Sequence, residues 1–387
     1  MAFALVSSSI ALPAQRTWIV DPGGKGDYKR ISDAVTAAKN GDRILVRPGK
    51  YAERPTILKS LTLLGTKATV DGFLVRGLTK RQPVVLSGFA VSTGKSFSLE
   101  NSRGHVALSG CSAKSFPFEP TRSVALIINN CHHVTVHSCS FVGTGVRITG
   151  SEVSIAQSTI SGVEGAWTFL GVRNAEPGIR VTASHVVLGN TTVTGGGTGA
   201  FFKDPEPEVA IQSQRSVVIV GAPSSLLAGR FARRGEAPAV RADAATKLFL
   251  DPTVLVQASD KSIRAIVGTK PISLVIPALA TVITRKANRD FVLATTVSAR
   301  ANWVSGLLIG LPGPRRAISR IGDVWFDTQQ PVLLLDVGPL AKDGRRAITV
   351  PLPASLPDGT RLTLQSVLLA STGKSLRLST STTVVLR

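Results

Sequence analysis

Aromatic, acidic and basic side chains concentrate in four stretches of this sequence, Ala113–Ser123, Val163–Pro177, Gly197–Glu208 and Ser224–Pro238. The aromatics are Phe116, Phe118, Trp167, Phe169, Phe201, Phe202 and Phe231. Among them stand Glu119, Arg122, Glu164, Arg173, Glu176, Lys203, Asp204, Glu206, Arg230, Arg233 and Arg234. Aromatic faces stack on the apolar faces of sugars, and carboxylates and guanidinium groups hydrogen-bond their hydroxyls, so the combination suits a carbohydrate ligand. The competing account is that these rings only fold their loops down onto the body of the protein. Proton abstraction from an acidic glycan asks for a cation to neutralise the uronate and a base beside it. Arg122 or Arg173 offers the first and Lys203 or His137 the second, with no motif behind the set. His105, His133 and His185 share one repeat position, as a proton shuttle would. Because Glu152 and Ser216 are read at the same position, a solvated polar ladder is the favoured account.

The residues exclude several other chemistries. Three cysteines without a CxxC make neither a disulfide framework nor a zinc site, and clustered Asp is missing from the repeats, so no metal and no cofactor is expected. Cys111 and Cys139 occupy one place in consecutive repeats and are expected to stack as small interior residues. The net charge of +21 is spread along the chain: residues 1–240 carry 26 Lys/Arg against 15 Asp/Glu, and 241–387 carry 19 against 9. An even positive balance is most simply a solvated surface, with a polyanionic partner as the alternative. No nucleic-acid-binding module is recognisable, so a polysaccharide, acidic or neutral, is the expected partner. Oligomeric state is left open.

A repeated strand must position these stretches. Cys131–Gly143 (CHHVTVHSCSFVG) alternates apolar and polar residues, as a half-buried strand does. The phrase returns at His105–Cys111, Glu152–Ser158, His185–Thr191, Ser216–Ala222 and, loosely, Lys247–Thr253. Its first apolar residues, Val106, Val134, Val153, Val186, Val217 and Leu248, are separated by 28, 19, 33, 31 and 31 residues. Strand-length repeats at this spacing predict a solenoid, a right-handed parallel β-helix whose coils bury an apolar face only when stacked. Val106, Leu108, Val134, Val136, Val153, Ile155, Val186, Leu188, Val217 and Ile219 are the expected inward positions. The four chemistry-bearing stretches leave the coil after the same strand each time, which places them on one face. Ahead of the repeats, Asp27–Lys39 carries an apolar stripe of Ile31, Ala34, Val35 and Ala38, predicting an amphipathic helix that caps the open end. The first fifteen residues are apolar and Ser/Ala-rich, end in ALPAQ, and are read as a truncated secretory signal segment. No stretch is long and apolar enough to be a transmembrane helix.

The segment GDYKRISDAVTAAKNGDRILVRPGKYAE resembles the opening of pectin-lyase-like right-handed β-helix proteins, where an Ala-rich helix, Gly-Asp, a strand and Pro-Gly-x-Tyr follow in this order. The resemblance is specific for the fold over Gly26–Glu53, the rungs extend it to about residue 257, and it carries no particular activity. The catalytic motifs of the pectin methylesterases, polygalacturonases and calcium pectate lyases are absent from the rungs: Asp327-Thr328 lies far downstream, and Gly104-His105-Val106 is a rung rather than Gly-His-Gly. From 265 to 387 the grammar changes to strands of six to nine residues separated by Leu311-Pro-Gly-Pro, Asp343-Gly, Pro357-Asp-Gly and Thr372-Gly turns, which predicts an antiparallel β-sandwich. The ending ITVPLPASLPDGTRLTLQSVLLASTGKSLRLSTSTTVVLR resembles a C-terminal module of secreted planctomycete proteins. The expectation is therefore an all-β protein with a signal segment at 1–15, a β-helix at 16–257 and a sandwich at 265–387. It is expected to be secreted, periplasmic or at the cell surface, and to bind carbohydrate or serve the envelope without catalysis. A metal-independent lyase or hydrolase is the alternative.

Overall fold

The computed structural model describes residues 16–386 apart from 115–123, 144, 169–170, 174, 198–207, 230–236, 286–289, 300, 302, 319–320, 328, 354, 371 and 374. Residues 1–15, read above as a signal segment, lie outside the described residues. Twenty-five described strands join through parallel pairing into a right-handed β-helix with three sheets. The front sheet contains Val106–Ser109, Val134–His137, Glu152–Ala156 and His185–Gly189; the side sheet contains Ser112–Lys114, Ser140–Val142, Thr159–Ser161 and Thr192–Thr194; the rear sheet contains Leu126–Asn129, Val146–Thr149, Ile179–Thr182 and Ile211–Gln214. Apolar residues stack in register through the front sheet: Leu63, Leu86, Leu108, Val136, Ile155, Leu188 and Val220 form one continuous interior row. Phe73, Phe89, Phe97 and Phe141 continue the core, with ring centroids 4.9 to 6.3 Å apart.

The corners are satisfied from one coil to the next. The backbone N–H groups of Cys131, Ser151 and Ser184 donate to the hydroxyls of Ser151, Ser184 and Ser216 (3.0 to 3.2 Å). Each turn therefore borrows an acceptor from the following coil, as a buried backbone donor requires. At the same corner Asn130 Nδ2 donates to Asn101 Oδ1 (3.1 Å).

At the N-terminal end the cap is shorter than its sequence pattern, a helix over Ile31–Ala37 with Ile31, Ala34 and Val35 buried. Glu53 accepts the N–H groups of Ile31 (2.6 Å) and Ser32 (3.0 Å), so a carboxylate from the following coil holds the helix start. Asp42 fixes the seam by accepting from the backbone of Arg16 and Lys39 and from the Trp18 indole (2.8 to 3.1 Å).

Two sequence expectations change. Val218 and Val220, rather than Val217 and Ile219, point inward, because Ser216 pairs with Ser184 and shifts the rung by one. In SVVIV the alternation is silent, since both faces of this strand carry apolar residues. Parallel pairing also passes Gln257: Ile266–Val267 and Ile272–Ser273 add to the rear and front sheets. These last strands have two residues each, too short for a pattern to reveal.

Beyond them, antiparallel sheets form a smaller sandwich. One contains Ala278–Arg285, Phe291–Ser298 and Arg345–Leu352, and the other Val304–Gly310, Leu333–Pro339, Arg361–Leu369, Leu376–Leu378 and Thr382–Val385. Leu293, Leu307, Ile348, Leu364 and Val384 build its core. The sandwich lies along the outer surface of the front sheet, where Thr382–Val385 packs over the coils. Small outward residues permit the approach: a Cβ on Gly189 would stand 2.5 Å from Thr380 Oγ1, and one on Gly221 2.7 Å from Thr380 Cγ2.

Candidate ligand-binding edge

The described roots of three insertions stack where the side sheet hands over to the rear sheet. Gly165 N–H bonds to Gly197 O, Gly196 N–H to Glu176 O, and Gly229 N–H to Glu208 O, all at 2.9 to 3.0 Å. Such close backbone stacking needs glycine: a Cβ on Gly195 would lie 1.8 Å from Glu208 O. At the foot of these roots is a groove of about 340 Å³, lined by Ser161, Glu164, Thr194, Leu227, Gln257 and Ser259 with intervening glycines.

Of the residues expected here, Glu164 is exposed at the rim of that groove. Glu176 binds Arg180 (3.0 Å). Trp167 and Arg173 lie on a two-stranded antiparallel ribbon, Ala166–Thr168 with Gly171–Arg173, in which Trp167 is opposite Val172 and Arg173 opposite Ala166. Phe116, Phe118, Glu119, Arg122, Phe201, Lys203, Asp204, Arg230, Phe231 and Arg233 lie outside the described residues.

Beside the roots, the rear sheet carries an outward row that the sequence reading passed over. Arg147, Arg180, Gln212 and Arg241 occupy directly adjacent register positions, about 4.8 Å apart from coil to coil. Arg180 pairs with Glu176 and, more loosely, Arg241 with Glu208 (3.7 Å). Arg147 is exposed. The signal was legible, since each Arg stands between inward apolar residues: Val146-Arg147-Ile148, Ile179-Arg180-Val181 and Val240-Arg241-Ala242.

A larger concavity, about 930 Å³, runs between the first coils and the 357–360 turn of the sandwich. Leu45, Leu64 and Phe89 contribute to its lining, with Thr66, Lys67, Ser112 and Asp358 as polar members. Gly65, Gly88 and Gly110 line it at one corner of successive coils, whereas Gln157, at the same corner two coils on, bridges to the sandwich by accepting Thr281 N–H (2.6 Å).

His105 and His133 are buried rather than solvated, and His185 is half-buried, because the sandwich covers the row. His105 and His133 stack with ring centroids 4.1 Å apart, and Trp325 lies 5.6 Å from His133. Arg361 Nη1 donates to His105 Nδ1 (2.8 Å), and His105 Nε2 meets Thr135 Oγ1 (2.8 Å). Burial, then the charges of His133 and Arg361, push His105 well below its usual pKa; burial and Arg361 take His133 down to about 3. Burial also lowers Arg361, to about 10. Further along, His185 binds Asp323 (2.7 Å), and Arg315 joins Asp323 (3.0 Å) and Glu152 (3.5 Å). Burial works against ionisation of Asp323, but bonds from His185 and Arg315 outweigh it and hold the carboxyl below its ordinary range. Val217, not Ser216, follows His185 in the row. His137 is buried as well, bonded to Gln157 (3.0 Å). It lies at the seam with the sandwich, away from the loop edge, in a groove of about 340 Å³ that Ser138, Thr281 and Val384 also line.

No family model matches the chain, and no curated protein matches it in sequence. Two solved structures are similar to it at 9% identity. The A-module of a mannuronan C-5 epimerase from Azotobacter vinelandii gives a TM-score of 0.30, covering 62% of this chain and 88% of that one. The enzymatically active domain of tailspike protein 4 from bacteriophage CBA120 gives 0.32, covering 89% of this chain and 64% of that one. Among the described residues no helix is long and apolar enough to cross a membrane.

Proposed function

We propose that this is a secreted or surface-exposed β-helix protein that binds a carbohydrate polymer along the loop edge and the adjoining rear sheet. The observation that carries the reading is the in-register row of Arg147, Arg180, Gln212 and Arg241, interleaved with Glu176 and Glu208 and bordered by the hydroxyl-lined groove. A rigid row of planar guanidinium and amide groups at one-coil spacing offers a repeating polymer the same hydrogen bonds again and again. The aromatics of the insertions, Trp167 among them, would supply the stacking surface.

The test is a glycan array run with a chain-cleavage assay on acidic polysaccharides. Binding without cleavage is the expected result. Arg147→Ala and Arg180→Ala should weaken an acidic ligand about tenfold or more, Trp167→Ala should weaken acidic and neutral ligands alike, and added salt should weaken only the acidic one. Unchanged affinity in all three variants, with loss in Lys67→Ala, would move the site to the seam concavity. Cleavage would replace binding with the lyase or hydrolase reading.

A further inference from the structure

We propose that the contact between the sandwich and the front sheet is an acid-sensitive latch that opens without unfolding the β-helix. The geometry requires a neutral His105. Its Nδ1 accepts from Arg361, which has no lone pair to give, so the single ring proton is on Nε2 and is donated to Thr135. A second proton, on Nδ1, would face an N–H of Arg361 head on. His133 is stacked on the same ring, so a charge there would stand beside both Arg361 and any charge on His105. Among the described residues its Nε2 is buried without a hydrogen-bond partner, and so is Thr380 Oγ1, which packs against Gly189 and Gly221. Polar atoms that have lost water and gained nothing weaken the docked state.

The other charged groups around the row pull in the opposite direction. Asp323 binds His185 and Arg315, and Arg315 reaches Glu152. Asp323 is held below its ordinary range by bonds from His185 and Arg315, so this cluster holds in mild acid and yields only when Asp323 itself takes a proton. The latch therefore has one acid-labile end at His105 and His133 and one acid-resistant end at His185 and Asp323.

When the sandwich swings away, both imidazoles regain water and an ordinary pKa near 6.5. Protons then bind the open form in preference. At pH 5 His133, with a docked value of about 3, should raise the open-to-docked ratio about 30-fold, and His105 adds to it in the same direction. Opening bares the outer face of the front sheet, a row of His105, His133, Glu152 and His185 beside the hydroxyls of Thr135 and Ser154. This device is independent of the glycan reading, because it uses neither the loop edge nor the rear sheet.

The experiment uses the full chain with Thr159→Cys on the side sheet and Lys342→Cys on the sandwich, labelled as an energy-transfer pair. The three native cysteines are buried, so the introduced thiols react selectively. Transfer efficiency should fall between pH 6.5 and 4.5 while the far-ultraviolet β signal stays constant, and the change should disappear in His105→Gln/His133→Gln. Asp323→Asn, a separate variant, should open at higher pH than the wild type. Constant efficiency down to pH 4.5 overturns the proposal. So does an equal response in the double variant, or loss of efficiency and β signal together.

Discussion

At the scale of single residues, hydroxyls do much of the work usually left to strand pairing. Ser184 accepts from Ser151 N–H and donates to Thr182 O (2.7 Å), while its own N–H donates to Ser216. Ser184→Ala leaves the buried N–H of Ser151 unpartnered and should cost about 1–3 kcal/mol, read from the urea midpoint at unchanged slope. Interior positions are less forgiving. Leu188 is fully buried between Ile155 and Val220, and Leu188→Asp would place a charge where nothing pairs with it. Soluble, folded Leu188→Asp protein would contradict that placement. Most of the residues expected to touch ligand, Phe201 and Arg233 for example, belong to insertions outside the described residues, whereas Arg147 and Arg180 were missed. The apolar half of an alternating strand announces the core, whereas an outward Arg shows its row only once the coils are in register.

At the scale of elements, the front sheet is a β-helix face adapted to carry another sheet. Ala107, Ser154, Ala156, Gly189 and Gly221 keep its outer surface low, and Val385 packs with Val85 and Ala107. Gly189→Val would drive a branched side chain into Thr380. It should undock the sandwich while leaving the coils intact, seen as new protease cutting between 258 and 277 with the β signal retained. Resistance equal to the wild type would show that the seam tolerates bulk there. The side and rear sheets have no such partner among the described residues, which is why polar ladders on them remain exposed and those on the front do not.

At the scale of the molecule, stability should fall in two steps as pH drops. His105 and His133 are held below their unfolded pKa, so the unfolded chain binds more protons below about pH 6.5. Their contribution is whole above that value and declines as pH falls toward the folded values, about 3 for His133. Asp42 and Asp323 act lower on the scale. Burial raises each, but hydrogen bonds from Lys39, Trp18 and Arg16 to Asp42, and from His185 and Arg315 to Asp323, bring both below 3.8. Their stabilisation is present above about pH 4 and lost as pH falls through the lower folded pKa. Thermal melts from pH 8 to 3 should therefore show a gradual decline below 6.5 and a steeper one below 4. Asp42→Asn should flatten only the second, and a single step in the wild type would refute the assignment of the first to histidine.

The sequence by itself determined the solenoid. Parallel stacking obliges every coil to repeat its inward apolar residues, so Val106, Val134, Val153 and Val186 announce the register wherever the outward face is polar. It failed at Val217 and Ile219 for the same reason, because there both faces are covered. The capping helix was legible through Ile31, Ala34 and Val35, and the sandwich through its turns. Only the tertiary structure decided where the sandwich sits. A polar outward row such as His105, His133, Glu152 and His185 looks alike whether it meets water or another module. The partners that bury it, Arg361, Trp325 and Asp323, are 138 to 256 positions away for the hydrogen-bonded pairs, and no local pattern records a contact between surfaces that far apart.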